Sequence, residues 1–364
     1  MSEWKEYKLG ELIETNAKSI GKDYPYSKIL YLDTGSITCN SIDSFQEFEL
    51  EKAPSRAKRL VKQDDIIYSS VRPNQLHYGY ITNPQDNLVV STGFVTITCN
   101  KELLCPKFLY YFLIQSQITE YLHSVAEAST SAYPSLKPSD IEALDIEIPP
   151  LDIQHRIASI LSSLDDKIDL LHRENATLEQ MAETMFRQLF VVEAKEEWEE
   201  GKLGDLIEVK YGKDHKKLLD GKIPVIGSGG IMRYADTALY NKESVLIPRK
   251  GTLNNVMYIN EPFWTVDTMF YTEMRRPNIA KFVFHFMKCQ DLANMNVGSA
   301  VPSMTTEVLN NIPIDIPPQE VFDRFENAVA SLYNKKEQNN KQIQTLIQTR
   351  DGLLPRLMNN ELTI

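Results

Sequence analysis

The chain has 364 residues, 42% of them apolar and 24% charged, with a net charge of −11; this is the make-up of a globular protein with room for two or three cored domains. No apolar run nears the ~18 residues that cross a membrane, and Met1-Ser2-Glu3-Trp4 does not read as a signal peptide, so a cytoplasmic protein is expected. The cysteines Cys39, Cys99, Cys105 and Cys289 form no CxxC pair and read as reduced thiols, and the acidic total argues against indiscriminate electrostatic binding while leaving room for a local basic groove.

In chain order, Val61 to Val71 reads as a strand entered by the turn-like Gln63-Asp64-Asp65. Phe94 to Thr98 alternates Val95 and Ile97 with Thr96 and Thr98, the pattern of a half-buried strand. Lys107 to Leu122 carries Phe, Leu and Tyr at helical spacing. Then Ile148 to Phe190 opens on Ile148-Pro149-Pro150-Leu151 and continues without another Pro or any Gly. Ile157, Leu161, Leu164, Ile168, Leu171, Asn175 and Leu178 lie on a seam with steps of three and four, which predicts one helix of about 60 Å that needs a partner.

The chain then repeats itself. Residues 4–14 and 198–208 are identical at eight of eleven positions, at an offset of 194. Thr92-Gly93-Phe94 corresponds to Thr268-Met269-Phe270, Lys107-Phe108 to Lys281-Phe282, and Ser131 to Ser135 corresponds to Ser299 to Ser303. Ile146 to Pro150 matches Ile314 to Pro318 at an offset of 168, so the second copy is the shorter by 26 residues. Duplication with a pseudo-dyad follows, and a solenoid does not. The helical stretch 107–122 is expected again at 281–295, and Gly227-Ser228-Gly229-Gly230 reads as a turn.

The second copy also ends in a long helix, expected from Gln319 to about Asn359 with late interruptions at Gly352 and Pro355. Its seam holds Phe325, Val329, Leu332, Lys336, Asn339, Ile343, Leu346 and Arg350. Antiparallel pairing about a dyad sets Asn175 opposite Asn339 and Leu171 opposite Ile343. The fold class is therefore α+β, with two pseudo-symmetric domains joined by two long antiparallel coiled-coil helices. The divisions are 1–150 and 194–318 for the domains, and 151–193 and 319–364 for the helices.

Catalytic signatures are missing from the sequence. Pro149-Pro150 leads into Leu151, and Pro317-Pro318 into Gln319, so neither completes the Pro-Pro-aromatic platform of an amino-methyltransferase. There is no GxxxxGK[ST] loop. His77, His123, His155, His172, His215 and His285 lack metal-ligand spacing. No catalytic residue, metal or cofactor is expected.

Ile148-Pro149-Pro150-Leu151, Gln154, Ile157 to Leu161, Leu164-Asp165-Asp166-Lys167-Ile168, Asn175, Thr177-Leu178-Glu179 and Met185-Phe186 resemble the helical region of specificity subunits of Type I restriction-modification systems. So do Leu353-Leu354-Pro355-Arg356-Leu357-Met358, the duplicated Trp-x-x-x-x-Leu-Gly-x-Leu-Ile opening, and Val245 to Gly251. That resemblance covers essentially the whole chain. It implies that each globular unit is a target-recognition domain reading one half of a split double-stranded DNA sequence. It also implies that the helices space the domains and dock two methyltransferase subunits, that a restriction and translocation subunit can join, and that the subunit itself has no catalytic centre. The second helix departs from the pattern in carrying Lys336, Asn339 and Arg350 on its seam.

Base readout calls for Arg, Lys, Asn and Gln on loops held by a rigid sheet. Arg72, Asn74, Gln75 and His77 follow the Ile66–Val71 strand of the first domain. Arg249, Lys250, Asn254 and Asn255 occupy the corresponding stretch of the second. Lys210, Lys213, Lys216 and Lys217, with His215, form the densest basic run and suit phosphates; Arg56, Lys58, Arg59 and Lys62 are its weaker equivalent. Ser131, Tyr133 and Ser299 are expected to brace the helix entries. The helices act as a ruler in this reading: half-sites about 10 bp apart would face one side of the duplex, and four residues added to each helix would lengthen the spacer by about 6 Å. The competing reading is a coiled-coil scaffold whose two α+β units bind protein, distinguished by the absence of salt-sensitive binding to one split DNA sequence.

Overall fold

Ile66, Ile67, Tyr68 and Ser69 are all buried, on both sides of their strand, and they form the heart of the first of two units. In the computed structural model, which describes residues 4–128, 135–295 and 303–362, the first unit combines Met1–Leu170 with Gln342–Ile364 and the second is Leu171–Lys341. No helix among the described residues is long and apolar enough to cross a membrane.

The main sheet of the first unit has the strand order Ile13–Thr15, Phe94–Cys99, Ile66–Ser69, Tyr78–Tyr80, all antiparallel. Side chains alternate across it. Ile66, Tyr68, Val95 and Ile97 face a core shared with Phe108, Leu109 and Leu122, which come from the helices Pro106–Leu113 and Ser116–Glu127. Ile67 and Phe94 face the opposite way, into a second core with Leu32, Leu88 and Val90. Each such aliphatic side chain, fully buried, contributes about 1.5–3 kcal/mol. The strand at 94–99 is thus covered on both faces, not half-buried as its alternation suggests. The cover is a second sheet, ordered Gln46–Glu49, Lys28–Leu32, Leu88–Ser91, Ala57–Leu60, and Thr96 beneath it is only 2% exposed.

The second unit repeats this plan. Ile207–Tyr211, Met269–Met274, Ser244–Pro248 and Met257–Ile259 adopt the same order. The parallel pairing of Lys28–Leu32 with Leu88–Ser91 recurs between Asp220–Gly227 and Trp264–Thr265. The opening strand Lys5–Lys8 pairs with Asp145–Ile148, and Glu199–Lys202 pairs with Pro313–Ile316. A small network repeats as well. Tyr80 Oη donates to Asp64 at 2.8 Å with Lys107 over its ring; Tyr258 donates to Glu243 with Lys281 over its ring.

The copies differ in their helices. The first unit has two helices where one was expected, broken at Ile114 and Gln115. The second has one, Ala280–Lys288, and the expected continuation to 295 is a series of turns. There Asp291 accepts from the side chain of Asn294 at 2.5 Å, a local bond that competes with helix.

Leu151–Arg187 is the first long helix, followed by a π-helical segment, Gln188–Val192. Gln154 locks its entry: its amide accepts from Cys105 N–H at 2.8 Å and donates to the Leu103 and Pro149 carbonyls. Gln319–Met358 is the second, and it runs unbroken through Gly352 and Pro355. A proline inside a helix forfeits one backbone bond. The helix nevertheless continues, because Leu354, Leu357 and Met358 are buried in the first unit's core with Ile157, Ala158 and Leu161.

Within each unit the two helices run antiparallel. In the second unit Asn175 bonds Asn339 and Glu179 bonds Lys336; in the first, Asp165 bonds Arg350 at 2.8 Å. The three polar seam residues of the second helix thus each meet a polar partner on the first. Phe325 and Val329 are fully buried, Ile157, Leu161, Ile168, Leu171 and Ile343 are buried, and Leu164, Leu178, Leu332 and Leu346 are partly exposed. Fully buried Phe322 belongs to the same seam and was not singled out by the spacing.

Candidate nucleic-acid interface

Both units present the loop that follows their central strand in one frame. In the first, Ser70 N–H donates to the Gly93 carbonyl at 2.8 Å, Leu136 N–H donates to Ser70 at 2.7 Å, and Val71 bridges Ser135. In the second, Arg249 N–H donates to the Thr268 carbonyl at 2.8 Å, Met304 N–H donates to Arg249 at 2.9 Å, and Lys250 bridges Ser303. Arg249 is therefore the counterpart of Ser70, and Lys250 of Val71, and the strand pairing sets Gly93 against Thr268 and Phe94 against Met269, one residue from the match read in the sequence. The position of Arg72 is filled by Gly251, and both residues have positive φ, 48° and 87°. The serine-containing loops thus contact the candidate loops through Ser135 and Ser303, whereas Ser131, Tyr133 and Ser299 lie outside the described residues.

In the first unit, Arg72 precedes a short 3-10 turn, Pro73–Gln75, and Leu76 beyond it also has positive φ. An L-residue in this left-handed conformation costs about 1 kcal/mol. Arg72, Asn74 and Gln75 are exposed, and their side chains have no partner among the described residues. His77 is half-buried instead, its Nδ1 2.5 Å from the Ile37 carbonyl, so its ring ties the loop to the hairpin Ile37–Thr38 and Ser41–Ile42. Lys58 is exposed on an edge strand with Arg59 half-buried beside it, while Arg56 and Lys62 are exposed.

In the second unit, the Arg249 guanidinium lies 5.5 Å from the Tyr211 ring centroid and donates through Nη1 to the Asp267 carbonyl at 3.0 Å. These contacts hold the arginine in place while Tyr211 stays half exposed. The amides are occupied: Asn255 Nδ2 donates to the Ser228 carbonyl at 2.7 Å, and Asn254 Oδ1 accepts from Ala293 N–H at 3.0 Å. Lys250 projects into solvent. Lys210 pairs with neighbouring Glu208, which holds its ammonium above the usual lysine range, and holds the Glu208 carboxylate below its own. Lys213, Lys216 and Lys217 are exposed without side-chain partners among the described residues. Their loop is fixed by Trp264, whose Nε1 donates to the Lys213 carbonyl at 2.9 Å. Tyr211 and Trp264 are contributors that residue spacing did not reveal; Tyr211 lies within the basic run and could have been found there, whereas Trp264 is brought to it from a distant stretch only by folding.

The result in each unit is a short loop at the end of an inner strand, braced by backbone hydrogen bonds and bearing exposed cations, with Asn74 and Gln75 beside them in the first unit. Such a loop suits hydrogen bonding to base edges and phosphates.

A family model described as the Type I restriction modification DNA specificity domain matches this chain twice, over residues 1–180 and 195–348. The Type I restriction enzyme HindI specificity subunit of Haemophilus influenzae is 24% identical over an alignment of 471 positions that takes in all of both chains. The MjaIX specificity subunit of Methanocaldococcus jannaschii is 24% identical over 349 positions, 84% of this chain and 79% of its own. The crystal structure of the Type I restriction-modification system S subunit from M. genitalium has a TM-score of 0.60 at 20% identity, covering 98% of this chain and 96% of that one, a likeness of fold. With a tandem match that takes in nearly all of its residues, this chain belongs to the family of Type I restriction-modification DNA specificity subunits.

Proposed function

We propose that the chain reads a split DNA target, one half-site per recognition domain, and that its own part in the reaction is positional. The domains taken for this are 1–150 and 194–318, with 151–193 and 319–364 as the helices. The observation that carries the reading is the shared frame of the two loops, 70–77 and 249–256, each clamped to its sheet and each offering exposed Arg or Lys. Two copies of one surface in one chain match a target in two parts. Lys213, Lys216 and Lys217 supply phosphate contacts, which position without specifying. The long helices dock two methyltransferase subunits, a restriction and translocation subunit completes the assembly, and the whole works in the cytoplasm. The family match favours this reading over a protein-binding scaffold.

The test is an exchange of residues 1–150 for the equivalent domain of another family member, followed by mapping of methylated adenines in the complete complex. One half-site should change and the other should remain. If both halves change together, or neither does, the one-domain, one-half-site assignment is wrong.

A further inference from the structure

The geometry points to Arg72 as the residue that selects a guanine in the half-site read by the first unit. This rests on the DNA-reading function proposed above and names the base that one side chain recognises.

The inference starts from the frame shared by the two loops. At the position where the second unit has Gly251, with φ of 87°, the first unit has Arg72, with φ of 48°. Glycine adopts this conformation freely, and arginine does so only under strain. A Cβ added at Gly251 would meet only Ser228, its rotatable Oγ at 3.0 Å and its Cβ at 3.6 Å, so the left-handed backbone, and not lack of room, is what favours glycine there. The first unit holds a long cationic residue there. The Arg72 side chain is exposed and has no hydrogen bond or ion pair among the described residues. Strain retained at an exposed residue whose side chain meets none of the described residues points to a contact made with something else.

The loop also fixes where the guanidinium starts from. Gln75 N–H donates to the Arg72 carbonyl at 2.9 Å and Leu76 N–H donates to Pro73 at 3.0 Å, so the backbone beneath Arg72 is closed into a turn. A planar, permanently charged fork on a rigid base matches the O6 and N7 acceptors of guanine in the major groove. The second unit supplies its arginine two positions earlier, as Arg249 stacked on Tyr211. The two loops therefore share their anchoring hydrogen bonds and differ in where their arginine stands, as two readers of different half-sites would.

The substitution Arg72→Gly restores the residue type of the other copy and relieves the strain, so it separates recognition from folding. The full-length chain, with its modification subunits bound, is used to select duplexes from a randomised library, as wild type, Arg72→Gly and Arg72→Lys. The expected result is loss of preference at one G·C pair of one half-site, by about 5- to 150-fold, with the other half-site intact and the melting temperature of Arg72→Gly equal or higher. Arg72→Lys should lose most of the same preference, because a lysine cannot make the forked contact. Unchanged selection by Arg72→Gly overturns the assignment. So does uniformly weaker binding with unchanged preference, the mark of a phosphate contact, or a lowered melting temperature, the mark of a structural role. A wild-type complex that selects no sequence overturns the DNA-reading function itself.

Discussion

Asn339 Nδ2 donates to Asn175 Oδ1 at 2.9 Å, joining the two long helices within the second unit. Asn175 Nδ2 in turn donates to Asn340 Oδ1 at 2.8 Å, and Asn339 Nδ2 also reaches Glu174 at 2.9 Å. Asn175 and Asn339 are 8% and 1% exposed. A buried amide layer contributes little net stability but penalises any other register, since a slip leaves these groups facing apolar side chains.

The double variant Asn175→Cys, Asn339→Cys should therefore crosslink on oxidation, and Asn175→Cys with Leu332→Cys, one heptad away, should not. Crosslinking of the shifted pair alone would discard the register. Asn339→Leu by itself strips Asn175 Oδ1 of its donor and should cost about 1–3 kcal/mol in denaturant unfolding. Leu at both positions should restore or exceed wild-type stability while weakening the choice of register.

Glu179 on the first helix meets Lys288 and Lys336, each at 2.5 Å. Burial works against its charge, but the two ammonium groups prevail and lower its pKa from the usual 4.5 to about 2. A carboxylate depressed in this way stabilises the fold above its unfolded value, and that stabilisation is lost as pH falls from about 4.5 to about 2. At neutral pH it is worth about 2 kcal/mol after allowance for partial exposure. Glu179→Gln should be less stable than wild type by that amount at pH 7, with the gap closing below pH 4.5. A gap that stays constant down to pH 2 would assign the loss to packing.

His285 also loses stability on acidification, but over a higher pH window and because burial disfavours its charged form. Burial pushes its imidazole down from 6.5 to about 4, with Glu179 and Glu183 raising it and Lys288 and Lys336 lowering it. The unfolded chain binds this proton first, so stability is untouched above about pH 6.5 and falls as pH drops from there toward 4, by about 3 kcal/mol in all. Tyr333 Oη lies 2.9 Å from His285 Nε2. The pair of substitutions His285→Phe and Tyr333→Phe removes both groups and should flatten the melting temperature between pH 6.5 and 4.5. An undiminished slope in that variant would place the acid sensitivity elsewhere.

One heptad inserted into each long helix, after Leu170 and after Lys341, keeps both seams in phase and adds about 10 Å. If the helices set the distance between half-sites, the methylated target should gain about 3 bp of spacer at 3.4 Å per bp with its half-sites unchanged. Altered bases within either half-site would show that the helices take part in reading and do more than measure.

The sequence by itself determined the plan of this protein. An apolar seam of period 3.5 cannot remain exposed, so two such seams in one duplicated chain implied paired helices, and Asn175 and Asn339 marked their register. Eight identities between the two openings implied a shared domain fold. The tertiary structure decided everything that depends on neighbours distant in sequence. The strand at Phe94–Cys99 looks half-buried in isolation and is buried on both faces because a second sheet, assembled from residues 28–91, lies across it. The second helix passes through Pro355 because the first unit's core holds the turn beyond it. The site followed the same division. Composition located the two loops, and the match of Ile66-Ile67-Tyr68 to Val245-Leu246-Ile247 already set Arg249 against Ser70; only the folded backbone showed that both loops are braced alike and that Arg72 occupies a glycine's conformation. Residue types say which chemistry is available; which side chains stay free to use it depends on hydrogen bonds such as those of His77, Asn254 and Asn255, which form only once the chain has folded.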